Sequence, residues 1–331
     1  MLSVAPTLAD ILRPIQEELT RVQERLQQRL GSRAPLLHEV MAYVFTGQGK
    51  QVRPALTLLS SAVGPAAHPE AALQIAVAIE LIHTATLIHD DIVDAAVLRR
   101  NRPSLNAKWG NEVSVLSGDF LYARAFHLLA ELNDPRVLAV MAQTGEEMSK
   151  GELAEVEHRC NWQLTEADYL DIVRAKTAVL MAAACQLGAH VSGATAEEVL
   201  ALAAYGEQVG MAFQISDDCL DLVGDERLLG KTTGSDLLRG NLSLPLVYLR
   251  EQLRGEEYQQ TFGSLDLAQD AATETLATLA RWARERHMIE QAYQKARAYA
   301  QQAKASLAAL DGAAVYDSLL ALADYAVNRH H

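Results

Sequence analysis

Ile79-Glu-Leu-Ile-His83-Thr-Ala-Thr-Leu-Ile-His-Asp90-Asp-Ile-Val-Asp94 closes a helical pattern that starts near Pro69 and continues to about Val97. Residues four apart on a helix are neighbours. Asp90 and Asp94 therefore point the same way, with Asp91 about 100° round the axis. Asn101-Arg-Pro103 then breaks the pattern as a turn. A second helix ends alike, in Gln214-Ile-Ser-Asp217-Asp218-Cys-Leu-Asp221, where Asp217 and Asp221 share a face. One acidic helix end of this kind is commonly a solvated surface. Two, each closing a strongly apolar helix, point to a shared task.

The rest of the chain reads as more of the same architecture. Ala, Leu, Glu and Gln are helix formers and dominate, whereas Pro and aromatic residues are scarce. The fold class expected is all-α. Helices are predicted over Leu8–Leu30, from Ala34 to before Gly47, Val113–Leu132, Pro135–Glu157, Thr165–Gly188 and Thr195–Leu222. Pro54 suits the first turn of another helix, and Thr195 with Glu198 reads as a capping box. Gly224 to Gly240 is polar and glycine-rich, as a loop would be, and helices resume near Leu242. No linker-like run divides the 331 residues, so a single helical domain over 1–331 is expected.

The net charge of −13 argues against a nucleic-acid surface, which is normally basic. It remains compatible with a small polyanion held through metal ions. Cys160, Cys185 and Cys219 show no metal or redox spacing, and early charges (Asp10, Arg13, Glu17, Glu18) interrupt the N-terminus. A cytoplasmic protein is expected. The most apolar run, Ala178 to Ala194, falls short of the ~20 residues that span a bilayer and reads as a core helix, so no transmembrane segment is expected.

Stacked carboxylates repel, and a cation usually offsets that cost. Carboxylate oxygens suit Mg²⁺, which keeps several waters and shares substrate phosphate oxygens. Basic residues lie where a diphosphate would need them. Arg99 and Arg100 follow the first acidic end, Lys231 follows the second in Gly230-Lys-Thr-Thr-Gly234, and Lys50 and Arg53 begin a helix. Cations are disfavoured at that end of a helix dipole unless an anion is bound. Lys176, beside Thr177 in an apolar helix, is costly without a partner.

Gly49-Lys-Gln-Val-Arg-Pro54, the Ile79–Asp94 stretch, Arg99-Arg-Asn-Arg-Pro103, Lys176-Thr177, Gln214 to Asp221 and Gly230-Lys231…Gly234…Asp236-Leu237 together resemble the trans-isoprenyl (polyprenyl) diphosphate synthases, in family order across residues 49 to 246. The resemblance implies a helical bundle with a deep central cavity, usually a homodimer, using three Mg²⁺ per active site. It implies condensation of an allylic diphosphate with isopentenyl diphosphate. By the same resemblance, Asp90, Asp94 and Asp217 would be direct Mg²⁺ ligands, and Asp91, Asp218 and Asp221 ligands or their supports. Arg99, Lys176 and Lys231 would hold the allylic diphosphate, and Lys50, Arg53, His83 and Arg100 isopentenyl diphosphate. Thr177 and Gln214 would lie near the reacting carbons. This chain departs from the family at Gln51, where Arg is usual, and at Asn241, where Lys often follows the glycine.

In this family the bulk of residues before the first acidic motif sets product length. Ala85 and Thr86 are small, and Ile82, one turn deeper, does not plug the path. Each turn adds about 5 Å, on the order of one isoprene unit. The His83-Thr-Ala-Thr-Leu phrase resembles the long-chain members that make quinone side chains, so a product longer than C20 is expected, with Phe126 as a candidate floor and release to a membrane. A C15–C20 synthase is the alternative. A di-iron bundle is a rival through Glu80-Leu-Ile-His83 and Glu155-Val-Glu-His158. So are a terpene cyclase and a non-catalytic partner subunit.

Overall fold

The structure, a computed structural model, describes residues 6–29, 34–46, 49–65, 69–223, 235–263, 265, 272–310, 312 and 315–328. Their helices run in chain order as α1 (Leu8–Ile11), α2 (Gln16–Arg29), α3 (Pro35–Val44), α4 (Val52–Ser61), α5 (Pro69–Val93), α6 (Leu105–Glu131), α7 (Pro135–Glu157), α8 (Glu166–Val173), α9 (Val179–Val191), α10 (Ala196–Val223), α11 (Ser235–Leu238), α12 (Leu244–Gln252), α13 (Gly255–Gln259), α14 (Ala272–Glu285), α15 (Met288–Ser306) and α16 (Tyr316–Val327). The class is all-α. Among the described residues, the strands are the two-residue β1 (Leu98–Arg99) and β2 (Arg102–Pro103), paired antiparallel with Arg99 opposite Arg102.

Several boundaries differ from the sequence reading, each for a local reason. The first predicted helix is split by a 3₁₀ turn at Arg13–Ile15, because Pro14 has no N–H to continue the ladder. Helix α5 stops at Val93 rather than Val97. Ala95 takes φ 47° and the Ala96 N–H reaches the Asp91 carbonyl at 2.9 Å, the bond of a Schellman-type stop. Helix α6 begins before Val113 because the pattern crosses a kink at Gly110. The Thr195–Glu198 capping box forms as read. In the predicted loop, α11 occupies Ser235–Leu238, and residues 224–234 lie outside the described set.

Contacts divide the chain into two compact units. The first comprises Met1–Thr144, Leu180–Gly206 and Lys304–Leu322; the second comprises Gly145–Val179, Glu207–Ala303 and Ala323–His331. In the first unit α5 is the core. Ala72, Leu73, Ile75, Ala76, Val77, Ala78, Ile79, Leu81 and Ile82 are all buried, so the helix is apolar all round and other helices must cover it. α2, α4 and α6 do so. In the second unit α12 packs on α8 and α14 through Leu244, Leu246, Val247 and Leu249. α15 buries Met288, Ala292, Ala296 and Ala300, one residue per turn.

Two helical stretches, Glu70–Val93 and Glu166–Val191, are long and apolar enough to cross a bilayer by length and composition. Their most apolar windows are 61% and 72% buried within the protein, which marks core helices. The second stretch is longer than the apolar run suggests because it continues through a π-helical turn, Arg174–Ala178, between α8 and α9.

Candidate active site

In the first unit, the end of α5 and the β hairpin assemble a cationic cavity of about 340 Å³. Its wall includes Gly49, Gln51, Glu80, His83, Asp91, Arg99, Arg100 and Arg102. The hairpin is tight because Arg100 and Asn101, its two turn residues, both have positive φ (51° and 60°), as two-residue hairpin turns favour. Arg99 Nε donates to Asp91 Oδ2 at 2.8 Å, and Asp91 is only 3% exposed. Asp91 is thus an anchor for Arg99. Asp90 and Asp94 remain one turn apart, with Asp94 N–H bonded to the Asp90 carbonyl at 2.8 Å.

Arg53 Nη1 lies 3.0 Å from His83 Nε2. Burial, with Arg53, Arg100 and Arg99 nearby, holds the His83 pKa well below its ordinary value. The ring is therefore neutral and accepts from Arg53. Burial raises the Glu80 pKa, against the pull of Arg53 and Arg100. Lys50 is exposed at the start of this segment. A Cβ on Gly49 would sit 2.9 Å from Arg100 Nη2, so the missing side chain is what lets the guanidinium lie against that loop.

His89, just before Asp90, fits into α6 where Gly118 leaves room. A Cβ there would be 2.2 Å from His89 Nε2, which lies 3.3 Å from the Val115 carbonyl. Of the residues assigned to product length, Ala85 and Ile82 are buried, and Thr86 is half-buried with its hydroxyl donating to the His83 carbonyl at 2.8 Å. Phe126 stacks on Tyr122 along α6, ring centroids 6.3 Å apart.

In the second unit Lys176 and Thr177 sit on the π turn, a form of helix that concentrates at functional sites. Lys176 Nζ bonds Glu155 and lies 3.0 Å from Glu152, both on α7. The partner its charge requires is therefore present. Thr177 donates to Gln214 Oε1 at 3.0 Å, Gln214 donates to Asp218 Oδ1 at 2.8 Å, and Tyr169 donates to Asp218 Oδ2 at 2.6 Å. Burial, followed by the charge of Asp236, pushes the Asp218 carboxyl up to about 8. Both Asp218 oxygens thus have protein donors, while Asp217, one residue back, is less buried. Asp221 is buried and accepts the Asp236 N–H at 3.3 Å. Lys231 lies outside the described residues.

Sequence reading missed Tyr169, Glu152 and the positioning role of Glu155. Tyr169 is a lone aromatic in an amphipathic stretch. Glu152 and Glu155 sit in a glutamate-rich helix where no spacing singles them out. Only the three-residue offset of Glu152 and Glu155, which places both on one face, was available as a signal.

A sequence pattern described as Polyprenyl synthetase matches residues 34–281. Heptaprenyl diphosphate synthase component 2 of Geobacillus stearothermophilus is 42% identical over 234 residues, 71% of this chain and 73% of that protein. Octaprenyl diphosphate synthase of Escherichia coli K12 is 34% identical over 314 residues, 95% of this chain and 96% of that one. The crystal structure of a polyprenyl synthase from Caulobacter crescentus CB15, complexed with calcium and isoprenyl diphosphate, superposes with a TM-score of 0.92 at 32% identity, covering 99% of both chains. With that fold and these residues, the chain belongs to the polyprenyl synthetase family. Its members of known name here are diphosphate synthases, which are prenyltransferases.

Family membership removes the di-iron and cyclase readings. The side chains agree for the first of these, since His83 accepts from Arg53 and Glu155 holds Lys176. Among the described residues, no three His, Cys, Asp or Glu side chains are gathered to hold a metal by themselves. The donor set nevertheless fits Mg²⁺, which normally takes one or two carboxylates and completes its shell with water and phosphate oxygens. Asp90 and Asp94, one turn apart on α5, offer carboxylates of that kind in the first unit, and Asp217 on α10 offers one in the second.

Proposed function

We propose that this prenyltransferase extends an allylic diphosphate, such as farnesyl or geranylgeranyl diphosphate, with successive isopentenyl diphosphates to an all-trans product longer than C20, for quinone side chains. The observation that carries the reading is the cationic cavity at His83 and the hairpin arginines, in a chain of this family. Arg53, neutral His83 and Arg100 bind the isopentenyl diphosphate there, with Lys50 at its edge. Arg99, Lys176 and Lys231 hold the allylic diphosphate.

Mg²⁺, held by Asp90, Asp94 and Asp217, would supply electrostatic stabilisation of the leaving diphosphate; three ions per site is the family expectation. The Caulobacter protein was crystallised in complex with calcium and isoprenyl diphosphate, which supports a divalent ion and a diphosphate as ligands of this fold. Lys176 and Arg99 add to the stabilisation of the charge that develops as the allylic C–O bond breaks. The double bond of isopentenyl diphosphate then attacks the allylic carbon to form the new C–C bond, and the resulting cation loses a proton to the departed diphosphate. Thr177 and Gln214, locked together, shape the wall by the reacting carbons. The apolar helices exclude water that would otherwise capture the cation.

The family match runs through segments of both compact units, which supports reading residues 1–331 as one synthase domain, and the cytoplasm is the expected compartment. A homodimer is the expected assembly. A second reading comes from the 42% identity to a protein named as component 2, by which this chain would need a different partner chain. The test is to incubate the purified chain alone with Mg²⁺, labelled isopentenyl diphosphate and farnesyl diphosphate, and to resolve products by length. A ladder ending at C30 or beyond supports the reading. A stop at C20 keeps the enzyme and removes the long product. No incorporation with farnesyl, geranyl or dimethylallyl primers, followed by activity on adding a second component, would establish the heteromeric alternative.

A further inference from the structure

The cavity wall holds one arginine with no role so far. We propose that Arg102 is a binding residue for the anionic end of isopentenyl diphosphate, held on the Tyr43 ring and standing in for the positive charge that Gln51 lacks. The inference rests on reading this cavity as the isopentenyl diphosphate site.

Three observations support it. First, Arg99 and Arg102 are paired across the two-stranded ribbon, and directly opposed residues in an antiparallel pair project to the same face. Both line the cavity with Arg100 and His83. Second, Arg102 has a fixed platform. Its guanidinium carbon lies 4.2 Å from the Tyr43 centroid, and the Tyr43 hydroxyl donates to the Pro103 carbonyl at 2.8 Å. The ring therefore orients the side chain and is tied back to the residue that follows it. Lys108 Nζ lies 4.1 Å from the same ring and 4.1 Å from Trp109, so a second cation shares this platform.

Third, the charges on the wall do not cancel. Among the described residues, three arginines line it against two carboxylates, Glu80 and Asp91. Asp91 is taken by Arg99, and burial draws Glu80 towards its neutral form. An excess of cation in a cavity of a chain carrying −13 calls for an anionic occupant. Gln51 lines the same wall without charge, its Oε1 accepting from Gln23 at 2.9 Å.

The test compares Arg102→Gln, Arg102→Lys and Arg100→Gln in the full chain. Isopentenyl diphosphate is varied at saturating farnesyl diphosphate and Mg²⁺, and then the reverse. Arg102→Gln is expected to raise KM for isopentenyl diphosphate about tenfold, the size of one charge-assisted contact. kcat and the farnesyl diphosphate KM should stay within about twofold. Arg102→Lys, which keeps the charge but not the fork, should fall between. Adding Gln51→Arg to Arg102→Gln should recover most of the loss. An unchanged isopentenyl diphosphate KM in Arg102→Gln, with a raised one in Arg100→Gln, overturns the role of Arg102 and keeps the cavity assignment. Unchanged values in both overturn the cavity assignment itself. A fall in kcat and melting temperature without a selective KM change would make Arg102 a structural residue and would also overturn the proposal.

Discussion

Tyr169→Phe removes a single oxygen and tests the internal order of the second unit. That hydroxyl donates at 2.6 Å to Asp218, which is 8% exposed, so water has little access to replace it. A buried acceptor left short of a donor costs ~1–3 kcal/mol. Unfolding entropies near 2.1 cal/mol/K per residue give roughly 0.7 kcal/mol/K for a chain of 331 residues. The melting temperature should therefore fall by about 1–4 °C. Gln214 would then orient Asp218 alone while also accepting from Thr177. If that wall serves the reacting carbons, kcat falls by about tenfold, part of the same free energy appearing in the transition state. The isopentenyl diphosphate KM, set by residues of the first unit, should remain within twofold. Differential scanning fluorimetry and steady-state kinetics on one preparation measure both effects. An unchanged melting temperature and an unchanged kcat would refute the claim that Tyr169 holds Asp218 and that this order matters to the reaction.

Gly49→Ala should leave stability nearly unchanged, because the added Cβ meets only the movable end of Arg100, yet raise the isopentenyl diphosphate KM several-fold in the same kinetic assay. Gly118→Ala is different in kind: its Cβ would meet the His89 ring, with a cost of about 1–3 kcal/mol by overpacking and a fall in kcat as Asp90 shifts, read by melting and by Mg²⁺ titration of activity. His83, with its folded pKa held low by burial and nearby arginines, binds no proton below its unfolded pKa where the unfolded chain does. Its contribution to stability is thus present above about pH 6.5 and lost as pH falls below that value, so melting temperatures between pH 7.5 and 5.5 should fall more steeply for the wild type than for His83→Gln. Ala85→Phe places bulk at a fully buried position of α5 and should shorten the product ladder, an outcome chromatography of the extracted lipids would show.

Much of the fold was legible because α5 and the helices around it carry long, regular apolar patterns, and the acidic helix ends stand out against them. The stops were harder. Ala95 adopts a conformation usually given to glycine, so no residue type marked the end of α5 at Val93. The π turn at Arg174–Ala178 was equally hidden, since widening one helical turn changes no residue type and barely shifts the apolar period over so short a segment. Tyr169 and Glu152 gain their roles only from residues distant in sequence that folding brings beside them.

The three hairpin arginines show the same limit most directly. As letters they are one kind of residue, and Arg99-Arg-Asn-Arg102 reads as a basic turn. Folding separates them by partner. Arg99 faces the buried Asp91, Arg100 lies against the backbone at Gly49, and Arg102 lies over Tyr43. An arginine paired with a buried carboxylate is held mainly in place, whereas one over an aromatic ring is oriented with its planar fork still turned to an incoming anion. Charge at a position was therefore readable from the sequence. How much of that charge a substrate could use was not, because it depends on the group each guanidinium meets, a buried carboxylate for Arg99 and an aromatic ring for Arg102.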